Sequence, residues 1–274
     1  SDLINRATGG NSGTPENIWF SKNGRIAGAA AVGVPIVGRP YSLWTVDGSP
    51  GAGAAPSTWA NPDNTTTGGI EQVDPGGGRQ KWCTGYSGTG LNAGTLVLYD
   101  RLGANGDLNG TTTTAQTFTG TVGRYNSTDA VGNIMWYEIY GNTTTILGAT
   151  GTTMTVEYTN EAGTGSRVSP AVTIGGTGFR EGNQARMIPL QAGDKGVRSV
   201  QNVDLVATTG TAGAFGITIA RPLAFAVVDS AGIGGWRDFV TGLPGIPEIK
   251  TDACLAFLWY PSVVTAPEIF GAIS

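Results

Sequence analysis

Residues 152–158, with the sequence TTMTVEY, decide the fold class because apolar and polar side chains alternate along them. Met154, Val156 and Tyr158 take alternate positions, and threonine or glutamate stands between them. Successive side chains of a β-strand point to opposite faces, so this pattern is typical of a strand with one buried side. The loop at residues 160–165 and the stretch at 166–174 then predict the return strand of a hairpin.

Further strands are predicted on both sides of this hairpin. Residues 134–140 (IMWYEIY) are rich in β-branched and aromatic side chains on both faces, as in a central strand. Residues 202–206 and 215–219 are predicted to repeat the hairpin arrangement around the loop at 207–213. The other clear strands are predicted at 95–99, 116–122, 223–228 and 253–259. Only residues 236–243, and less clearly 16–23, have a helical period over two turns.

About ten short strands between turn-rich stretches predict an all-β fold. An antiparallel β-sandwich, loop-rich and similar to a jelly roll, is favoured over a propeller, because no period of forty to fifty residues repeats. We predict an extended N-terminal arm at residues 1–17, a loop-rich β region at 18–90 packed on the main domain, and a β-sandwich domain at 91–274. The arm has few apolar anchors, so we expect it to lie against a neighbouring subunit.

Composition excludes several classes of function. The 274 residues include no histidine, which removes mechanisms that pair histidine with serine, cysteine or a metal. Only 13% of the residues are charged, against about a quarter in an average domain. The 16 basic residues are scattered singly, so we expect no direct nucleic-acid partner. Apolar stretches are interrupted by Gly, Pro and polar residues, so we expect a soluble protein with no membrane partner.

The two cysteines and the first residues bear on the compartment. Cys83 and Cys254 are too far apart in sequence for a zinc motif, which leaves two buried thiols or a single disulfide. The first six residues, SDLINR, lack the basic region and apolar run of a signal peptide. We therefore expect synthesis in a cytoplasm without export.

Candidate metal and phosphate sites are weak in this sequence. Residues 105–110 (NGDLNG) match the first half of a calcium loop, but Gln116 stands where a bidentate glutamate is expected. We interpret the segment as a pair of Asn-Gly turns. The glycine runs at 76–78 and 175–178 lack the Lys-Ser/Thr ending and following helix of a phosphate loop, so both are predicted to be turns. Asn-x-Ser/Thr sequences at Asn64, Asn109, Asn126 and Asn142 are attributed to chance.

Two kinds of side chain could still form a carbohydrate site. The carboxylates of Glu138, Glu157 and Asp204 lie in or beside predicted strands, and a pair of such groups can cleave glycosides without histidine. Sequence spacing does not bring them together, and solvated strand carboxylates are the more usual case. Aromatic rings in the loop-rich region could stack on sugars or be buried in a core or subunit interface; these are Trp44, Trp59, Trp82 and Tyr86.

The segment from Gly132 to Ala224 resembles structural proteins of tailed bacteriophage particles, particularly those carried on the head. The resemblance covers this segment, about a third of the chain, and is carried by the phrases NIMWYEIYGNTTT and TTMTVEYTNEAGTGSRVSPAVTIGGTGFREGNQARMIPLQAGDKGVRSVQNVDLVATTGTAGAFGITIARPLA. It implies a capsid decoration, or cement, protein that binds as a homotrimer over junctions between major capsid protein subunits. It also implies a location on the capsid exterior after synthesis in the host cytoplasm, and it brings no catalytic residues.

These observations predict a non-enzymatic virion protein with no catalytic, cofactor-binding or metal-binding residues. The alternative is a receptor- or carbohydrate-binding protein of the tail or a head fibre, since such proteins share the same Gly- and Thr-rich β texture. A major capsid protein of the usual tailed-phage fold is not expected, because no segment has twenty residues of helical period.

Overall fold

A computed structural model describes residues 16–24, 35–75, 79–140, 146–240 and 246–274. Within these ranges the protein has eighteen β-strands and one short 3-10 helix, Thr128–Ala130. The strands are β1 Ile18–Asn23, β2 Tyr41–Ser42, β3 Gly48–Ser49, β4 Lys81–Trp82, β5 Gly85–Gly90, β6 Gly94–Leu108, β7 Gln116–Thr121, β8 Ile134–Ile139, β9 Gly151–Asn160, β10 Arg167–Val168, β11 Val172–Gly175, β12 Ala185–Ile188, β13 Val197–Leu205, β14 Phe215–Val228, β15 Gly235–Asp238, β16 Glu248–Ile249, β17 Leu255–Pro261 and β18 Glu268–Ile273. In these ranges no helix has the length and apolar character that crossing a membrane requires.

Most strands belong to three antiparallel sheets. The central sheet has six strands in the order β12, β8, β14, β6, β17 and β2. The terminal sheet has the order β15, β5, β18, β1 and β3, and the hairpin sheet has the order β10, β9, β13 and β7 with β11 also paired to β9. Strands β4 and β16 form a separate pair.

The central sheet is shared by two sandwiches. Its long strands β6 and β14 pair along almost their whole length, with register shifts near Ala220 and Pro222. One half of the sheet packs on the terminal sheet, around Leu96, Phe257 and Ile269. The other half packs on the hairpin sheet, around Ile217, Val156 and other buried side chains. The terminal sheet and the hairpin sheet therefore pack on the same face of the central sheet, which we call its inner face. The opposite face of the central sheet is its outer face.

The side chains of β6 alternate between the cores on the inner face of the central sheet and its outer face. Leu96 and Leu98 belong to the core under the terminal sheet, and Leu102 belongs to the core under the hairpin sheet. Val97 and Tyr99, between them, belong to a third cluster on the opposite, outer face. The prediction of an all-β, antiparallel sandwich is confirmed.

The strand that decided the fold class is also confirmed. β9 contains residues 152–158, and its alternate side chains from Thr152 to Asn160 are buried. The return strand pairs with β9 as predicted, but it is divided into β10 and β11. Pro170 lies in the break, where it has no backbone N–H for the ladder.

The second predicted hairpin is wrong. β13 pairs with β7 and β9 in the hairpin sheet, whereas β14 pairs with β6 and β8 in the central sheet. The loop between β13 and β14 therefore crosses from one layer to the other. It is anchored by buried Thr209, whose backbone N–H donates to the Gly110 carbonyl at 2.8 Å. The strands predicted separately at 215–219 and 223–228 are one strand, β14, which bends through the register shifts.

Both helical predictions are wrong over the described residues. Residues 18–23 form β1, which is paired on both sides with β18 and β3. Residues 235–238 form β15, which is paired with β5. In both cases pairing with distant strands outweighs a weak local period.

The predicted division of the chain stays a prediction. The arm at 1–17 lies outside the described residues except for Glu16 and Asn17. The region at 18–90 contributes strands to sheets that also contain strands from 91–274, since β1 pairs with β18 and β5 pairs with β18 and β15.

Candidate interaction surfaces

The outer face of the central sheet carries an apolar groove. One part, of about 400 Å³, is lined by Met187, Leu190, Tyr260 and neighbouring side chains. An adjoining part, of about 460 Å³, shares Val97, Pro222 and Tyr260 with the first and extends to Phe225. We call these two parts together the apolar groove. Phe225 on its border is 47% exposed, so the groove presents apolar surface to solvent.

Beside the groove, the same face holds a buried ion pair. Arg101 and Glu138 are each 1% exposed and contact each other directly. Arg101 also donates to the Tyr140 hydroxyl at 2.5 Å, and its guanidinium lies 4.5 Å from the Trp44 ring. Burial would raise the pKa of the Glu138 carboxyl, but the Arg101 charge and hydrogen bonds hold it below its usual range. Glu138 is therefore an ionised structural partner of Arg101.

The candidate carboxylates do not converge on one site. Glu138 is buried in the central sheet, whereas Glu157 on β9 and Asp204 on β13 lie on the solvent-facing side of the hairpin sheet. Glu157 accepts a hydrogen bond from the Asn202 side chain at 2.5 Å. Two acids on an open sheet face lack the cleft that glycoside cleavage requires.

The segment that resembled a calcium loop is part strand and part turn. β6 continues through Leu108, so the interpretation of Asn105-Gly106 as a turn is wrong. Asn109 does begin a turn, in which its side chain accepts from the Thr111 N–H at 2.8 Å. Gln116 accepts from the Asn109 N–H at 2.7 Å and donates to its carbonyl at 3.0 Å, which closes this turn. Among the described residues no group of three acidic or cysteine side chains could hold a metal ion.

The remaining motifs have structural roles where they are described. The run at 175–178 ends β11 with Gly175 and continues as a turn at 176–178, with Gly175 and Gly176 at positive φ. The Asn64 amide donates to the Gln72 carbonyl and to Asp74, and the Asn126 amide donates to the Val122 carbonyl. The glycine run at 76–78 and Asn142 lie outside the described residues.

Both cysteines are buried free thiols, so the disulfide alternative is wrong. Burial raises the pKa of Cys83 and of Cys254 to about 12. Neither thiol is therefore activated for chemistry at neutral pH.

The four aromatic rings that could stack on sugars are buried or half-buried. Trp44 is 4% exposed and Tyr86 is 1% exposed, so neither can stack on a ligand. Trp59 is half-buried, stacks on Phe118 and donates to the Thr121 carbonyl at 3.1 Å. Trp82 is half-buried in β4.

Apart from Phe225 at the apolar groove, the exposed aromatic rings among the described residues lie on the outer face of the terminal sheet. Trp19 on β1 is 76% exposed, Trp236 on β15 is 73% exposed and Phe270 on β18 is 48% exposed. Trp19 is paired with Ala272, Ala272 with Ser87, and Ser87 with Trp236, so the four side chains form one row across four strands. We call this row, together with Phe270, the aromatic face.

Sequence reasoning missed this surface for a specific reason. Trp19 stands in an apolar run, IWF, whose third residue Phe20 is buried, so the run alone does not tell which ring faces solvent. Trp236 is the first residue of the stretch 236–243 that the sequence predicts as helical. Knowing that residues 18–23 alternate as a strand, with Phe20 and Lys22 inward, would have placed Trp19 outward.

No family model matches the chain, and neither does a curated protein or a solved structure. The two surfaces therefore rest on their own geometry. The outer faces of the central and terminal sheets point in opposite directions, because the terminal sheet packs on the inner face of the central sheet. The apolar groove and the aromatic face thus lie on opposite sides of one sandwich.

Proposed function

We propose that this protein is a non-enzymatic structural component of a bacteriophage particle, a capsid decoration protein that stabilises the head. In this proposal it binds as a homotrimer over junctions between major capsid protein subunits, on the capsid exterior, after synthesis in the host cytoplasm. The apolar groove is the observation that carries it. The resemblance of residues 132–224 to phage head proteins adds the identity of the particle.

The groove has the composition of a protein contact. Its walls combine Tyr260 with proline and aliphatic side chains such as Leu190, and charged side chains are absent from the described lining. Depletion of charge and enrichment of aromatic residues mark the core of protein interfaces. Contiguous apolar surface of this kind on a soluble protein indicates a partner.

The first test is to image the particle and to measure the mass of the isolated protein. We expect density on the outside of the head and a trimer in solution. A monomer that is absent from virions would contradict the proposal.

A second test changes the groove itself. Phe225→Glu places a charge at its border, and we expect binding to undecorated heads to fall by about tenfold or more. Val206→Glu is the matched control, because Val206 is 77% exposed and lies after β13, away from the groove lining. Equal binding by both variants would rule out the groove as the attachment surface.

Attachment through apolar contacts should also be insensitive to salt. Ion pairs are screened as ionic strength rises, whereas apolar burial is unaffected or strengthened by sulfate. We expect occupancy on purified particles to change little across a sodium chloride series. Steep release with sodium chloride alone would show that charge dominates attachment.

A further inference from the structure

The aromatic face has the geometry of a ligand platform. Neighbouring strands are about 4.8 Å apart, so Trp19 and Trp236, three strands apart in one row, are separated by about 14 Å at their backbones. Ala272 and Ser87 between them have small side chains, so both tryptophan rings project above the sheet surface around them. Phe270 is in the next row, paired with Ser21 and Thr89.

We infer that the aromatic face binds a neutral polysaccharide. Exposed aromatic rings have a flat apolar surface that can stack on the apolar faces of sugar rings. Tryptophan also has a polar N–H group, which suits it to a contact that stays partly solvated. The distance between Trp19 and Trp236 is too long for one sugar, so the ligand is a chain of several. This inference does not depend on attachment to a capsid.

The charges on the face favour a neutral ligand. Among the described outward-facing residues of these strands the charged ones are Glu268 and Asp238, and both are acidic. An anionic glycan or a nucleic acid would be repelled by these two carboxylates, and the neighbouring Arg237 guanidinium lies 4.6 Å from the Phe225 ring, on the other side of β15 from the aromatic face. Sugar hydroxyls, in contrast, can donate to carboxylates and exchange hydrogen bonds with serine hydroxyls.

The same residues argue against a protein partner at this face. Its rings are separated by small or polar residues, including Ser21, Ser87 and Ala272, so the apolar surface is not contiguous. Contiguous apolar surface lies on the opposite side, in the apolar groove.

The test is native gel electrophoresis of the whole protein in gels that contain dextran, mannan, a mixed-linkage β-glucan or, as the anionic contrast, hyaluronate. We expect at least one neutral polysaccharide to retard the protein and hyaluronate not to do so. Trp19→Ala and Trp236→Ala should each weaken that retardation by about tenfold or more. Trp19→Phe and Trp236→Phe should retain most of the retardation, because each keeps a flat aromatic ring.

Val206→Ala is the matched control, since Val206 is 77% exposed after β13, away from the terminal sheet, and the variant should leave polysaccharide binding unchanged. Thermal melting of each variant tests whether it is folded. We expect the variants to fold, because both tryptophan side chains are exposed. Absence of retardation by every neutral polysaccharide would overturn the inference, and so would unchanged binding in the alanine variants. Dissociation of an oligomer by Trp236→Ala would assign the face to a subunit interface instead.

Discussion

At the scale of single residues, the buried pair of Arg101 and Glu138 dominates the polar interior. Glu138 accepts from Arg101, from the Thr218 hydroxyl at 3.0 Å and from the Trp136 indole at 3.3 Å. Glu138→Gln removes the negative charge and leaves the Arg101 guanidinium buried without a counter-charge. We expect the free energy of unfolding, measured in urea, to fall by about 3–5 kcal/mol.

Two comparisons separate this effect from a general loss of packing. Arg101→Met combined with Glu138→Gln removes both charges, and we expect the double variant to be more stable than Glu138→Gln alone. Glu248→Gln breaks the Lys250 pair, whose side chains are about a third exposed, and should cost less than about 1 kcal/mol. A Glu138→Gln variant as stable as Glu248→Gln would show that the central pair contributes little.

A second residue-scale prediction concerns acid. Burial would raise the pKa of the Asp194 carboxyl, but hydrogen bonds from Arg167, Tyr158 and Asn160 hold it at about 2. A carboxyl whose pKa is lower in the folded state stabilises the fold above its unfolded pKa, near 4, and loses this contribution as pH falls through 2. Asp194→Asn should therefore lower stability at pH 7 and flatten its decline between pH 4 and 2.

Urea unfolding at a series of pH values measures this effect. Arg167→Gln removes the strongest hydrogen-bonding partner and should move the loss of stability to higher pH, toward the ordinary titration of an aspartate. If the curves of the native chain and of Asp194→Asn run parallel in acid, the network does not contribute as described.

At the scale of elements, the edge strand β15 depends on one close approach. A Cβ atom on Gly235 would lie 2.5 Å from the Val227 carbonyl oxygen of β14 and 3.1 Å from its backbone nitrogen. Gly235→Ala should force β15 away from β14 and lower the free energy of unfolding by about 1–3 kcal/mol. Because β15 carries Trp236, polysaccharide binding should weaken at the same time.

Gly123→Ala is the control for this substitution. Its Cβ would meet atoms no closer than 3.7 Å, at the Asn61 side chain, which is ordinary contact. Thermal melting should show little change for this variant. Equal melting temperatures for the two alanine variants would mean that the contact with β14 is not tight.

The elements also show which parts of the fold could be predicted from the sequence. The alternation of β9 and the two-sided apolar pattern of β8 depend on local side-chain order, so both strands were predicted correctly. The strand with which another strand pairs is not determined by local sequence. Nothing in residues 202–219 indicates that β13 and β14 belong to different sheets. The aromatic face could not be predicted from the sequence for the same reason, because Trp19 and Trp236 are brought together by pairings between strands far apart in the chain.

At the scale of the whole molecule, β6 and β14 hold the two sandwiches in one body. Each strand passes from the core under the terminal sheet to the core under the hairpin sheet without a break. The apolar groove is lined by Val97 of β6 and Pro222 of β14, so it is built on the two strands that join both cores. The aromatic face is on the far side of the terminal sheet, so both surfaces could be occupied together.

The pairing of β1 with β18 has a consequence for synthesis. Ile18 lies opposite Ile273, so the middle of the terminal sheet joins residues more than 250 positions apart in the chain. During translation β1 leaves the ribosome early and has to wait for β18 before this pairing can form. The terminal sheet therefore closes late, and until it does, the apolar side chains beneath it, Phe20 and Leu96 among them, are exposed to chaperones and to other nascent chains.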